Sequence, residues 1–557
     1  MESKVLNKRL GSYVIVASIA VTLFVSPWSS IDPMNLPKLS LLGVLAAVAA
    51  SLSFSRISFL KANSTRIFNL ILLLFVLYLV VTLFIGKQDF AFKFYGTPNR
   101  NTGFFAYLCL TIILFASAVS ASKELLRKYS YALISVGGVL AIYGFAQSRG
   151  YDFFNYVKVY DSDVTGTFGN SNFQSAFMGM VAAVAMTWVL FSAIALKHKA
   201  GLLGISGLAI VNVALSSQQG YLNFVAGLVA ALMIYLFTKR KYLFGWSVFG
   251  VSILGSGLLL LGILNKGPLA ELIYKSSLQA RGFYWRAALN MMVEHPLFGV
   301  GPDGFGDWYR RSRSQGAAEF NASIVADTAH SVPLDIGTSG GFPLLILYLA
   351  ILGLALLAII RVIKRSNEFD VVFATIVAAW VAYQAQSLIS INQLGLGIWG
   401  WSLTGLLIGY ELNSRNAVEV VPLKGGKKLI KVAEKLPASA LLIAFVASGI
   451  GLAVSLPPYL AANKYYKALQ SGDVKVIQSA AYLKPYDRNR FSYTVQILTQ
   501  NKFEKEALLV LADVAKIYPD SFEIWQRWTQ IPLATPTQII KAKAEMKRLD
   551  PLNPDLK

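Results

Sequence analysis

From its start to about residue 456 the chain alternates between long apolar runs and short polar breaks. Apolar segments lie near 11–27, 39–54, 67–86, 104–121, 129–147, 173–196, 200–216, 220–237, 244–264, 342–360, 371–389, 394–412 and 438–456. Runs this long and this free of charge read as membrane-spanning helices. The first follows a basic start, as a secretory signal does, but no small-residue cleavage site follows, so an uncleaved helix is expected. Two stretches break the rhythm. Roughly 75 residues, 265–341, separate the ninth and tenth runs, a length that loops rarely reach unless they carry function. After 456 the pattern turns amphipathic. Pro485 and Pro519 recur 34 residues apart and Pro551 follows at a similar interval, a period typical of helical hairpin repeats. The expected fold is all-α: a polytopic membrane helix bundle of about 13 transmembrane helices over 1–456, with a large extracytoplasmic loop at 265–341. A C-terminal tetratricopeptide-like helical domain over 457–557 completes it, a surface suited to protein or glycan partners.

Composition sharpens this reading. With 55% hydrophobic and 14% charged residues, a soluble chain of 557 residues would lack the polar surface it needs. The net charge of +22 raises nucleic acid as a partner, yet the placement of the charges argues against it. Basic residues gather in alternate loops: Lys4, Lys8 and Arg9; Arg56, Lys61 and Arg66; Lys123, Arg127 and Lys128; Lys197 and Lys199; Lys239, Arg240 and Lys241; Arg361, Lys364 and Arg365; then Arg415 through Lys435. The short intervening loops carry far fewer, chiefly Lys38, Lys87, Lys93, Arg100, Arg149 and Lys158. That alternation predicts an N-terminus in the cytoplasm and a tail outside, with membrane lipids as the other partner. Cys109, the only cysteine, excludes disulfides and cysteine metal clusters within the chain.

The chemistry concentrates in the large loop. Arg281, Trp285 and Arg286 sit in an aromatic-rich helical stretch, followed by Pro296-Leu297-x-Gly299-x-Gly301, then His330-Ser331, then Gly341 ahead of the tenth run. Upstream lie Gly96-Thr97-Pro98-Asn99-Arg100-Asn101-Thr102-Gly103 and Gly166-Thr167-Phe168-Gly169-Asn170-Ser171-Asn172, each just before an apolar run. This ordered set, spread over roughly residues 30–410, resembles the O-antigen ligase and O-antigen polymerase superfamily of membrane glycosyltransferases. The resemblance implies transfer of a glycan from an undecaprenyl-pyrophosphate carrier to an acceptor hydroxyl on a lipid, wall or protein acceptor at the outer membrane face. Ligation is the favoured job; polymerisation and protein glycosylation share the scaffold. No metal and no cofactor is implied. A departing diphosphate needs a cation, which an arginine fork supplies, and a hydroxyl needs a base, for which histidine is matched near neutral pH. By motif, His330 is the expected base and Arg281 the main phosphate ligand. Arg286, Arg100, Ser331, Gln219 and Asn172 are further substrate-binding candidates. Many relatives carry Ser-Arg-Gly between the seventh and eighth helices, where this chain reads Ser217-Gln218-Gln219-Gly220, so a second cation must come from elsewhere, with Arg100 a candidate.

Plainer readings compete at each position. His330 alone would be a helix-end histidine, and Arg281 and Arg286 solvated or snorkelling charges. Asn170 and Asn172 read better as helix caps than as sugar ligands. Gln384 and Gln386 serve interhelical hydrogen bonds as readily as a lipid-carrier cavity. Gly299-x-Gly301-x-x-Gly304 matches a dinucleotide fingerprint in form only, since no strand–helix–strand unit surrounds it. The loop acids Asp303, Asp307, Asp327 and Asp335 look too scattered for a metal site. A transporter of lipid-linked oligosaccharide would show internal repeats and mid-membrane charges, and the sequence has neither.

Overall fold

The computed structural model describes residues 2–26, 31–54, 59, 61–86, 88–154, 164–273, 276–416 and 438–556. Of the basic residues used to orient the chain, Arg56 and those of 417–437 lie outside these. Among the described residues every element is helical, and a helix occupies each apolar segment read from the sequence. Nine of these helices are long and apolar enough to cross a membrane by length and composition. Of the other four, Phe104–Ser120 is a shorter apolar helix, Ser439–Ser455 runs into Pro457–Ser471 across a 47° bend, and Glu2–Leu23 and Leu394–Asn416 fall outside the nine. The chain is a multi-pass membrane protein.

The exterior shows which solvent the bundle expects. Tyr242–Ile263 is apolar throughout yet buries only Gly245 and Gly262, leaving Leu243, Trp246, Val251 and Leu254 outward. Such a surface fits lipid and not water. Inside, Phe104–Ser120, Ser171–Phe191 and Val371–Ile389 are buried along most of their length. Apolar burial gives little drive between helices in hydrocarbon, so close backbone packing must hold them. Gly405 and Gly409 provide it: a Cβ on either would lie 2.1 and 2.0 Å from the carbonyl oxygens of Leu114 and Ala118. The Leu394–Asn416 and Phe104–Ser120 helices therefore touch backbone to backbone.

The long loop has structure of its own. It contains the Ala270–Ile273, Ser276–Glu294, Phe305–Ser312 and Gln315–Phe320 helices. Its expected end at 341 moves back, because the next helix begins at Val332 and runs to Arg365. Gly340 and Gly341 break that helix, the latter at φ +69°, so a short outer helix leads through a kink into the apolar segment.

The tail packs as consecutive helix pairs: Pro457–Ser471 with Val474–Ala481, Arg488–Gln500 with Glu504–Ile517, and Phe522–Trp528 with Pro536–Leu549. Tyr465, Phe491, Val495, Leu511, Val514 and Ile524 form its core. Each fully buried side chain of this kind stabilises by about 1.5–3 kcal/mol. Phe92, from the loop before the Phe104–Ser120 helix, inserts into the same core, so tail and membrane bundle share packing. Charge locks the tail to the long loop. Asp550 accepts from Arg310 at 2.8 Å and from Arg313 at 2.8 and 2.9 Å, all three buried. Arg311 pairs with Asp520 at 3.4 Å, and Arg488 with Asp307.

Candidate active site

One face of the Ser276–Glu294 helix builds the site floor. Positions 281, 284, 288 and 291 share a face at helical spacing. Ala287, Ala288 and Met291 pack under it against Val300, Phe305, Tyr309 and Ala329. Tyr284 brings its ring to 5.4 Å from that of Tyr309 and 5.5 Å from that of His330. Arg281, one turn earlier, stands on the same side.

His330 holds a left-handed backbone at φ +52°, a conformation histidine tolerates better than most residues. Its neighbours fix it. The Asp335 carboxylate accepts the Ala329 N–H at 2.6 Å, and the Thr328 hydroxyl accepts the N–H of His330 at 3.3 Å. Ser331 takes the N-cap position of the Val332–Arg365 helix without a side-chain capping bond, and Pro333 sits in the first turn, where proline costs no hydrogen bond. The imidazole therefore sits at the positive end of a helix.

The two motif glycines explain the long spacing between Pro-Leu-x-Gly-x-Gly and the residue after His-Ser. Val300 donates to the Thr338 carbonyl at 2.7 Å and Phe342 to the Pro296 carbonyl at 2.9 Å, tying the 296–301 turn to the kink. Gly299 and Gly341 both hold positive φ there. A Cβ on Gly299 would meet the Thr338 oxygen at 2.1 Å, and one on Gly341 the Pro296 oxygen at 2.4 Å. Only glycine fits either place.

A third segment closes the site. The 96–103 loop is held by Asp303, which accepts from the Thr97 N–H at 2.7 Å and the Thr102 hydroxyl at 3.1 Å. That loop delivers Arg100, whose Nε and Nη2 fork onto Asp327 at 2.9 and 3.1 Å. Burial pushes Asp303 up to about 6, against its hydrogen bonds. Burial also opposes charge on Asp327, but the Arg100 fork and His330 outweigh it and hold this carboxyl below its ordinary value. His330 is pushed down to about 4, first by burial and then by the charges of Arg281 and Arg100, with Asp327 opposing. Near neutral pH it is an uncharged imidazole with a lone pair to offer. Burial likewise disfavours the charge on Arg281, yet a guanidinium stays protonated in proteins. Among the described residues no carboxylate pairs with Arg281. A partly buried cation without an acid beside it is a place for an anion.

The structure thus brings together His330, Arg281 and Arg100. It turns Arg286 away: five residues after Arg281 it lies about 140° round the helix, exposed in line with Leu289 and Val293. That is the setting of a charge snorkelling to the interface. Ser331 is buried at the N-cap position of the Val332–Arg365 helix. Gln219 and Asn172 join a separate polar seam inside the bundle. There Gln219 donates to Gln386, and the Ser217 hydroxyl donates to Asn172 Oδ1 at 2.7 Å. Asn170 caps the Ser171–Phe191 helix by accepting from the Asn172 N–H at 2.8 Å. The acids read as scattered are partly gathered: Asp303 and Asp327 feel each other's charge, as Asp335 feels theirs. Asp307 instead faces Arg488. Tyr284 and Asp327 are site residues that the sequence reading passed over. The Arg-x-x-Tyr spacing marks Tyr284 as a face-mate of Arg281, whereas nothing local marks Asp327.

Comparison with known proteins bears on the same segment. The family model described as O-antigen ligase matches residues 202–349, which contain the loop, both motif glycines, Arg281 and His330. No curated protein matches the chain.

Proposed function

We propose, from the premise that this chain belongs to the O-antigen ligase and polymerase superfamily, that it transfers a glycan from an undecaprenyl-pyrophosphate carrier to an acceptor hydroxyl. Its family makes it a glycosyltransferase-like membrane enzyme in the broad sense. The finer reading is a metal-independent, inverting transfer of ligase type, on the outer face of the cytoplasmic membrane. In this reading the N-terminus is cytoplasmic, thirteen helices cross, and the 265–341 loop and the 457–557 tail lie outside.

The observation that carries the reading is the neutral imidazole of His330 beside the acid-free guanidinium of Arg281. His330 takes the proton of the acceptor hydroxyl as its oxygen attacks the anomeric carbon. The bond from that carbon to the diphosphate oxygen breaks, and the electron pair leaves with the lipid diphosphate. Arg281 meets the growing negative charge with a two-pronged donor, and this selective gain in the transition state lowers the barrier. Arg100, already forked to Asp327, adds positive field at the same place. A bound diphosphate also offsets the two cations that depress His330, so donor binding itself makes the imidazole a stronger base.

The test is transfer in vitro from purified lipid-linked glycan, with lipid, wall and protein acceptors supplied one at a time, with and without chelator. His330→Ala is expected to abolish transfer while expression and donor binding persist. Unchanged glycan transfer by that variant removes the enzymatic reading and leaves a carrier or scaffold role.

A further inference from the structure

A cavity of about 650 Å³ lies between the tail and the membrane bundle, outside the His330 cluster. Its size falls within the range of about 300–1,000 Å³ typical of small-molecule sites. The tail contributes Tyr466, Tyr486, Tyr493 and Asn489, and the 96–103 loop contributes Asn99 and Asn101. Asn101 is 3% exposed, and its Oδ1 is buried without a hydrogen-bond partner. A buried amide oxygen left unmatched costs about 1–3 kcal/mol, which a ligand donor in the cavity would recover. Both cations of the wall are engaged elsewhere. Arg488 holds Asp307, and Arg490 donates to the carbonyls of Leu483 and Pro485. Neither offers a fork to a phosphate.

We infer that this cavity binds a neutral saccharide segment of the glycan substrate. Pyranose rings present apolar C–H faces and a rim of hydroxyls, which matches phenol rings interleaved with amides. Position supports the assignment. Asn101 lines the cavity, while its neighbour Arg100 reaches Asp327 beside His330, so one short loop serves both places. A glycan reacting at His330 can therefore rest its more distant sugars against the tail. This inference rests on the transfer reaction proposed above, and it gives the tail a part in substrate selection.

The experiment uses the full chain in detergent or nanodiscs. Binding of two probes is measured by titration calorimetry: the donor saccharide released from its carrier by mild acid, and the saccharide portion of the acceptor. One of them is expected to bind, and which one binds identifies the source. Tyr466→Ala with Tyr493→Ala is expected to weaken that binding at least about tenfold, and to raise the glycan KM similarly with kcat within about twofold. Asn101→Gly suits the left-handed backbone, removes the amide oxygen and is expected to weaken binding without unfolding the tail. His330→Gln should keep the binding and lose the transfer. If neither saccharide binds while transfer proceeds normally, or if the variants bind as the wild type does, the cavity is no saccharide site. If the wild type binds saccharide with this variant sensitivity but transfers nothing, the proposed function fails and the site stands.

Discussion

Replacing Arg281 by Gln should change how His330 titrates, and the direction is fixed by the structure. His330 sits at about 4 where 6.5 is ordinary. That gap corresponds to about 3.4 kcal/mol in favour of the neutral ring. Burial is the largest cause and the charge of Arg281 the next. A nearby charge moves its neighbour by about 1–3 pH units, and as the lesser cause Arg281 should account for about one. Removing the cation makes protonation easier, so in Arg281→Gln the pKa rises. The chain has only three histidines, so isotope-labelled imidazole NMR can follow them singly, with His330→Gln assigning the signal. Adding inorganic pyrophosphate to the wild type should raise the same pKa, and the rise should shrink in Arg281→Gln. Kinetics give a second view. The acid limb of kcat/KM reports the free enzyme and that of kcat the donor complex, so the kcat limb should lie at higher pH. Losing a charged fork worth about 3 kcal/mol should also cut kcat/KM more than about 100-fold. A His330 that titrates near 6.5 in the wild type, or that ignores both Arg281→Gln and pyrophosphate, refutes the reasoning.

Four further outcomes follow from the packing and the buried charges. Gly341→Ala places a methyl 2.4 Å from the Pro296 oxygen at φ +69°. It should cost about 1–3 kcal/mol of strain and, by displacing His330, roughly 100-fold in kcat, read in single-turnover assays. Asp550→Ala strands the buried Arg310 and Arg313 and should cost about 3–5 kcal/mol; limited proteolysis should then release the tail from the loop. Asp303 has a native pKa of about 6 against 3.8 for the free side chain. Its contribution therefore favours the fold at low pH and is lost as pH rises through about 6. Asp303→Asn should flatten thermal stability over that window in a pH series of melting curves. Asp303→Ala should instead loosen the Arg100 loop by orphaning Thr97 and Thr102, at about 1–3 kcal/mol per group.

Much of this architecture was legible in the apolar pattern, because lipid forces long uncharged helices that periodicity reports directly. The tail's helix pairs were legible from proline spacing for the same local reason. The candidate site was legible only in part. Arg281 and His330 stand out through their motif order, and the structure unites them. Arg286 misled because adjacency along a helix is not adjacency in space. Its angle from Arg281 was computable from the spacing, but which face would be buried was not. Asp327 and Asp303 acquire their roles from contacts more than 200 residues apart in the chain, Arg100 with Asp327 and Thr97 with Asp303. No window along the sequence contains both ends. Gly299 stands in the sequence as one glycine of a motif, whereas in the fold it lets two backbone segments touch.

The Asp550 clasp on Arg310 and Arg313 also sets an order of events during biosynthesis. Its two halves are 240 and 237 residues apart, with the helices from Val332 to Ser455 between them. Until those helices are inserted and the last tail helix has emerged, the loop bearing His330 lacks this clasp and leans on earlier chain alone, through Arg100 on Asp327 and Thr97 and Thr102 on Asp303. A half-built chain thus holds His330 and Arg281, the proposed base and diphosphate ligand, in a looser frame than the finished molecule does.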